Sequence, residues 1–220
     1  MVIKQVLFNH KGSRYFYRVH NGKIGRLCLG KFNTLKEYLN FVLEKCPNEY
    51  FNGGPRGSCL KFNLVNNLIE VAGHEVSSLA GHGLEVNKDR FFDSHSRVQT
   101  FMLENDNNTL AMEVPIWLMP NEIAGYKTLF KSEEILTGHI DILRIDDGKI
   151  WIWDYKPNAQ KEKYASTQTF FYAYMLSRRT GIPLAHFRCG YFDHRFAFIY
   201  KPEEEFLSGL NSQRVLTNIR

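Results

Sequence analysis

The chain has 220 residues, 44% of them hydrophobic, with 17 Phe and 11 Tyr. That is enough apolar surface for a folded core, which excludes global disorder, and the length suits one α/β or α+β domain with embellishments. Lys and Arg outnumber Asp and Glu by 28 to 23, a net charge of +5 that permits a polyanionic partner without demanding one. Four scattered cysteines (Cys28, Cys46, Cys59 and Cys189) form no CxxC pair, so neither a zinc ribbon nor a disulfide framework is expected. Reduced thiols in a cytoplasmic, intracellular setting are the default. The first residues carry no apolar run of signal-peptide length, and no stretch of about 20 apolar residues suggests a membrane span.

In chain order, residues 1–30 alternate apolar and polar positions around Gly12, Asn21-Gly22 and Gly25, which predicts small hairpins. In "FNTLKEYLNFVLEKC", Thr34 can cap a helix, with Leu35, Leu39, Val42 and Leu43 at helical spacing. "NGGPRGS", residues 52–58, has loop composition and divides an N-terminal β/α extension, 1–58, from a main unit, 59–220. Its Arg56 and glycines could touch phosphate, but a plain linker is the simpler reading. Residues 62–86 mix helical spacing with glycines. Residues 89–105 predict a helix with Phe92, His95, Val98 or Gln99, and Met102 on one face. "TLAMEVPIWL" is a strand holding Glu113, and 120–135 is a polar connection. "TGHIDILRID" and "IWIWDYKP" are strands around an Asp-Gly turn, the second ended by Pro157. "EKYASTQTFFYAYMLSRRTG" is a helix stopped by Gly181. Two more strands, "HFRCGYFD" and "RFAFIYKP", precede a tail that reads as a short helix. A three-strand meander, a crossover helix and further strands give an α/β (α+β) central mixed sheet flanked by helices.

Asp141 lies inside an apolar strand, and a buried carboxylate is costly unless paired. Asp154 and Lys156, two apart at the end of the next strand, project into the same space. One reading is a structural ion pair. The other is a metal site, with two carboxylates for a hard ion and a lysine to orient a nucleophile or offset charge on a phosphorane.

"GHID" followed by "DYK" resembles the core of the PD-(D/E)XK nuclease superfamily, most closely its RecB-like branch. Gln168 and Tyr172 on the following helix match that branch's Q-x-x-x-Y motif. The resemblance implies a restriction-endonuclease-like core over roughly residues 89–200. It implies Asp141 and Asp154 as ligands to Mg²⁺ or Mn²⁺, the Tyr155 carbonyl beside them, and Lys156 as the catalytic lysine. Glu113 resembles the first-strand acid, and Gln168 and Tyr172 buttress the site. For the branch's helical histidine, His95 is the first candidate, with His82 and His74 as rivals and Glu85 as a helical acid. His139 and His186 are set aside, His139 staying a minor candidate through its i−2 relation to Asp141. No iron–sulfur cluster is expected, since only Cys189 lies downstream. The aromatics of "IWIWDY" and "FFYAY" suit stacking on single-stranded bases, with core packing the favoured reading. Lys161, Lys163, Arg178, Arg179 and Arg188 could follow a phosphate backbone.

The implied activity is metal-dependent hydrolysis of DNA, as an exonuclease in repair, recombination or replication, with DNA and other repair or replication proteins as partners. A non-catalytic DNA-binding or assembly module of the same fold is the alternative, and an RNA-directed hydrolase would use the same site.

Overall fold

The computed structural model describes residues 2–65 and 67–207. In chain order its elements are β1 (Ile3–His10), β2 (Ser13–His20), α1 (Asn21–Leu27), α2 (Asn33–Lys45), β3 (Ile69–Ala72), α3 (Glu75–Val86) and α4 (Ser94–Asn105). There follow β4 (Thr109–Leu118), α5 (Tyr126–Phe130), β5 (Leu136–Asp146), β6 (Lys149–Tyr155), α6 (Ala165–Thr180), β7 (Phe187–Phe192) and β8 (Phe196–Tyr200). The strands form one sheet in the order β1-β2-β4-β5-β6-β7-β8-β3. β4, β5 and β6 are an antiparallel meander, and β6 and β7 run parallel. α6 supplies the crossover that a parallel pair requires. This is the mixed, helix-flanked sheet that the order of predicted elements implies.

Local chemistry explains the central elements. β4 and β5 are buried almost end to end, as strands covered on both faces must be. Asp147 and Gly148 both adopt positive φ, 46° and 63°, the two-residue turn that fits the twist of a hairpin. α4 starts at Asp93, whose carboxylate accepts from the Ser96 amide at 2.7 Å. α6 is buried around most of its circumference and stops at Gly181, in the left-handed conformation at φ 70°. Val76, Ala80, Val98 and Met102 of α3 and α4 pack on Ile142, Trp153 and Phe192 of the sheet. α2 and α6 belong to the larger core, with Leu35, Leu39, Phe170, Phe171 and Met175. The aromatics of β6 and α6 are largely core: Trp153, Tyr155, Phe170 and Phe171 are at most 2% exposed.

Several local expectations are corrected. Asn21-Gly22 opens α1 and is not a turn, because His20 caps the helix through the Lys23 amide at 3.2 Å. The 62–86 stretch resolves into β3 and α3. α4 begins at Ser94 and not at 89, so Phe92 lies outside it, fully exposed at 101%. The 120–135 connection holds the short α5. The tail expected as a helix falls largely outside the described residues. No described helix is long and apolar enough to cross a membrane.

Candidate active site

A pocket of about 310 Å³ opens where β4, β5 and the end of β6 meet α4 and α6. Glu113, Asp141, Asp154, Lys156, Gln168, Tyr172 and His95 all line it. Met112 faces Ile142 and Val114 faces Ile140, so Glu113 and Asp141 stand opposite each other across the β4–β5 pair. Glu113 takes φ 53°, an uncommon conformation for a non-glycine residue and one that collects at functional sites.

Gln168 ties the pocket together. Its Nε2 donates to Asp154 Oδ1 at 2.8 Å and to the Tyr172 hydroxyl at 3.2 Å, and its Oε1 accepts from Lys156 Nζ at 3.3 Å. The four-residue spacing puts Gln168 and Tyr172 on one helical face. Gly138 of "GHID" has a steric reason: a Cβ there would fall 2.3 Å from Tyr172 Cε1. Lys156 Nζ also pairs with the buried Asp154 Oδ2 at 2.7 Å. The Tyr155 amide donates to Asp141 Oδ2 at 3.1 Å. His95 Nε2 is 3.8 Å from that same Oδ2, its ring edge-on to Tyr155 at 5.2 Å.

The charges are unbalanced in one direction. Burial pushes the Asp141 carboxyl well above the usual carboxylate range, and the charges of Asp154 and Glu113 push it further. Burial takes Glu113 up to about 7, with Asp154 adding to the rise and the 2.7 Å Gln99 hydrogen bond opposing it. Burial works against the Lys156 ammonium, but Asp154 and Asp141 outweigh it and lift its pKa. Burial lowers His95, favouring neutral imidazole. Three carboxylates, set against Lys156 and Arg56, are a donor set suited to a hard cation. No three His, Cys, Asp or Glu among the described residues stand close enough to form a ready cage. Mg²⁺ asks for less, since one or two carboxylates, waters and substrate phosphates complete its shell. The side chains present fit such an ion.

The rival candidates lie elsewhere. His82 is exposed beside Phe101, Glu85 pairs with Lys88 at 2.6 Å, and His74 caps α3 through the Val76 amide. None of them lines the pocket, and His186 does not either. His139, set aside from sequence, is in its wall. His10 Nε2 faces Asn48 Oδ1 at 2.9 Å, and His10 Nδ1 faces His139 Nε2 at 2.9 Å. With Asn48 accepting, the proton order leaves the bare lone pair on His139 Nδ1, which is buried without a partner among the described residues. Burial, then His10 and Arg56, holds His139 well below the ordinary histidine value.

Lys161, Lys163, Arg178, Arg179 and Arg188 do not line the pocket either. Arg179 pairs with Glu122, and Arg188 donates to the Phe187 carbonyl at 2.7 Å. The basic residue that does line it is Arg56, weighed from sequence as a phosphate contact but read as part of a plain linker, and it enters with Tyr15 and Ser58 from the first 58 residues. The only trace of this in the sequence is the "GPRG" composition of its loop.

A family model described as the PD-(D/E)XK nuclease superfamily matches residues 72–212. No curated protein matches the chain.

Proposed function

The chain belongs to the PD-(D/E)XK nuclease superfamily, whose restriction-endonuclease-like fold its mixed sheet shares, and from that premise we propose a metal-dependent deoxyribonuclease of the RecB-like kind. The observation that carries the reading is the single network joining Asp154, Lys156, Gln168 and Tyr172, with Asp141 and Glu113 in the same pocket. In this reading Asp141 and Asp154 hold Mg²⁺ or Mn²⁺, with the Tyr155 carbonyl and His95 beside them. When bound, such an ion neutralises charge on the scissile phosphate and acidifies water.

The chain's own groups divide the remaining work. Lys156, beside Asp154, is placed to orient the attacking water and to offset charge on the phosphorane. Gln168 fixes Asp154 and Lys156 relative to each other. Glu113 faces Asp141 across the strand pair and adds a third carboxylate to the pocket that would hold the ion. Residues 1–58 are read as an addition to the nuclease core, contributing one wall of the pocket.

The branch motif on α6 favours an exonuclease serving DNA repair, recombination or replication. Matched linear and circular DNA, single- and double-stranded, with RNA beside them, test this under Mg²⁺, Mn²⁺ and chelator. Linear DNA should be degraded and circles spared. Cutting of circles would replace the exonuclease with an endonuclease, and degradation of RNA alone would overturn the deoxyribonuclease.

A further inference from the structure

Among the described residues Arg56 is the pocket cation with no carboxylate partner. Lys156 has Asp154, but the Arg56 guanidinium makes no ion pair. It hydrogen-bonds the neutral hydroxyl of Tyr15 and lies over the Tyr15 ring, 5.2 Å from its centroid. Tyr15 in turn stacks on His139, with centroids 3.7 Å apart and planes at 5°. The guanidinium is thus held from beneath by an aromatic face and from the side by a neutral acceptor. Among the described residues its other side-chain donors make no hydrogen bond.

Its backbone is fixed as firmly. Arg56 bridges to Thr137 at the start of β5, and the Thr137 amide donates to Pro55 at 3.1 Å. The Gly54 amide donates to Glu134 at 2.6 Å, and Lys11 holds the Gly54 carbonyl at 2.8 Å. A Cβ on Gly57 would fall 2.4 Å from Tyr172 Cε1, so the loop rests on the same ring that supports Gln168. A linker needs none of this. A planar, charged fork, pre-positioned and with no close ion pair among the described residues, though it feels the Glu113 charge, matches the oxygens of a phosphate.

We propose that Arg56, seated on Tyr15, binds a phosphate of the nucleic-acid strand beside the one that reaches Asp154 and Lys156. The proposal rests on the nucleic-acid reading above. The phosphate is either an internal phosphodiester or the monoester at a strand end, and Arg56 supplies the same two-pronged contact to both.

The test is binding, not cleavage. The full chain without metal is titrated with fluorescent single-stranded DNA, 5′-phosphorylated or 5′-hydroxyl, across a salt series. Arg56→Ala should weaken binding roughly tenfold and flatten the slope of log K against log salt by about 0.7, the loss of one phosphate contact. Arg56→Lys should restore the slope but not the full affinity. Tyr15→Phe should lose affinity at unchanged slope. Loss confined to the phosphorylated strand identifies a terminal phosphate, and equal loss on both strands identifies an internal one. Arg56→Lys also guards against misfolding, because it keeps the charge and most of the stem. Unchanged affinity and slope in Arg56→Ala overturns the proposal. The nuclease reading would survive that result if wild type still cuts DNA and Asp154→Asn does not. A wild-type chain that binds neither DNA nor RNA here and cuts neither with Mg²⁺ or Mn²⁺ removes both readings.

Discussion

Gln168 contacts three pocket residues through one amide, so it is the residue whose loss should be felt most widely outside the acids and Lys156. Truncation leaves Asp154 Oδ1, itself buried, without its donor, which costs about 1–3 kcal/mol. Gln168→Ala should therefore lower stability by that amount in urea melts and reduce cleavage more than tenfold at saturating substrate. Cleavage at the wild-type rate would show that the bridge is only structural. Asp154, Lys156, Gln168 and Tyr172 were legible in the sequence because their relations are local: two residues apart on a strand, four on a helix. Tyr15 was not, and Arg56 and His139 were only minor candidates, because these residues meet across separations such as the 129 residues between His10 and His139. Local periodicity carries no information about such contacts.

At the level of elements, β5 and α6 are locked by the fit of Tyr172 against Gly138. Gly138→Ala forces a methyl group into the ring, and overpacking of this kind costs about 1–3 kcal/mol. The cost should shrink sharply in a Tyr172→Ala background, a coupling that a double-mutant cycle by chemical denaturation measures. Additive costs would mean that Gly138 is needed for another reason. α1 offers a second check. Its Lys23 is 6% exposed and donates to the Leu103 and Asp106 carbonyls at 2.6 and 2.5 Å, tying α1 to the end of α4. Burial pushes its ammonium down to about 8 from an ordinary value of 10.5. Below about pH 8 both folded and unfolded chains hold the proton, and the burial cost is felt in full. Between there and the ordinary value only the unfolded chain keeps it, so stability rises with pH, by up to roughly 3 kcal/mol. Wild type measured against Lys23→Met should gain stability over this window, and a flat difference would contradict the buried, charged lysine. This helix escaped the sequence reading because Asn21-Gly22 is also a strong turn signal, and the His20 cap decided between them.

Across the whole molecule, the meander, crossover and Asp-Gly turn were legible because short connections leave few topologies. The edges of the sheet were not. β2 joins β4 through Arg18–Met112 and Val19–Ala111, and β3 closes the far side against β8. These pairings join strands far apart in sequence, and nothing local encodes them. Their consequence is functional, since the β1–β2 hairpin carries Tyr15 to the pocket and supports Arg56 there. The net charge of +5 proved a weak guide, because the five bases singled out near the motif do not line the pocket. The measurement that bears most directly on the central claim is cleavage of end-labelled linear DNA with Mg²⁺ or Mn²⁺ by wild type, Asp154→Asn and Lys156→Ala. The account predicts metal-dependent cutting by wild type, abolished by chelator and reduced at least roughly 10²-fold in each variant that still folds. Cutting at the wild-type rate by either folded variant, or uncut DNA under every metal despite tight binding, would contradict it.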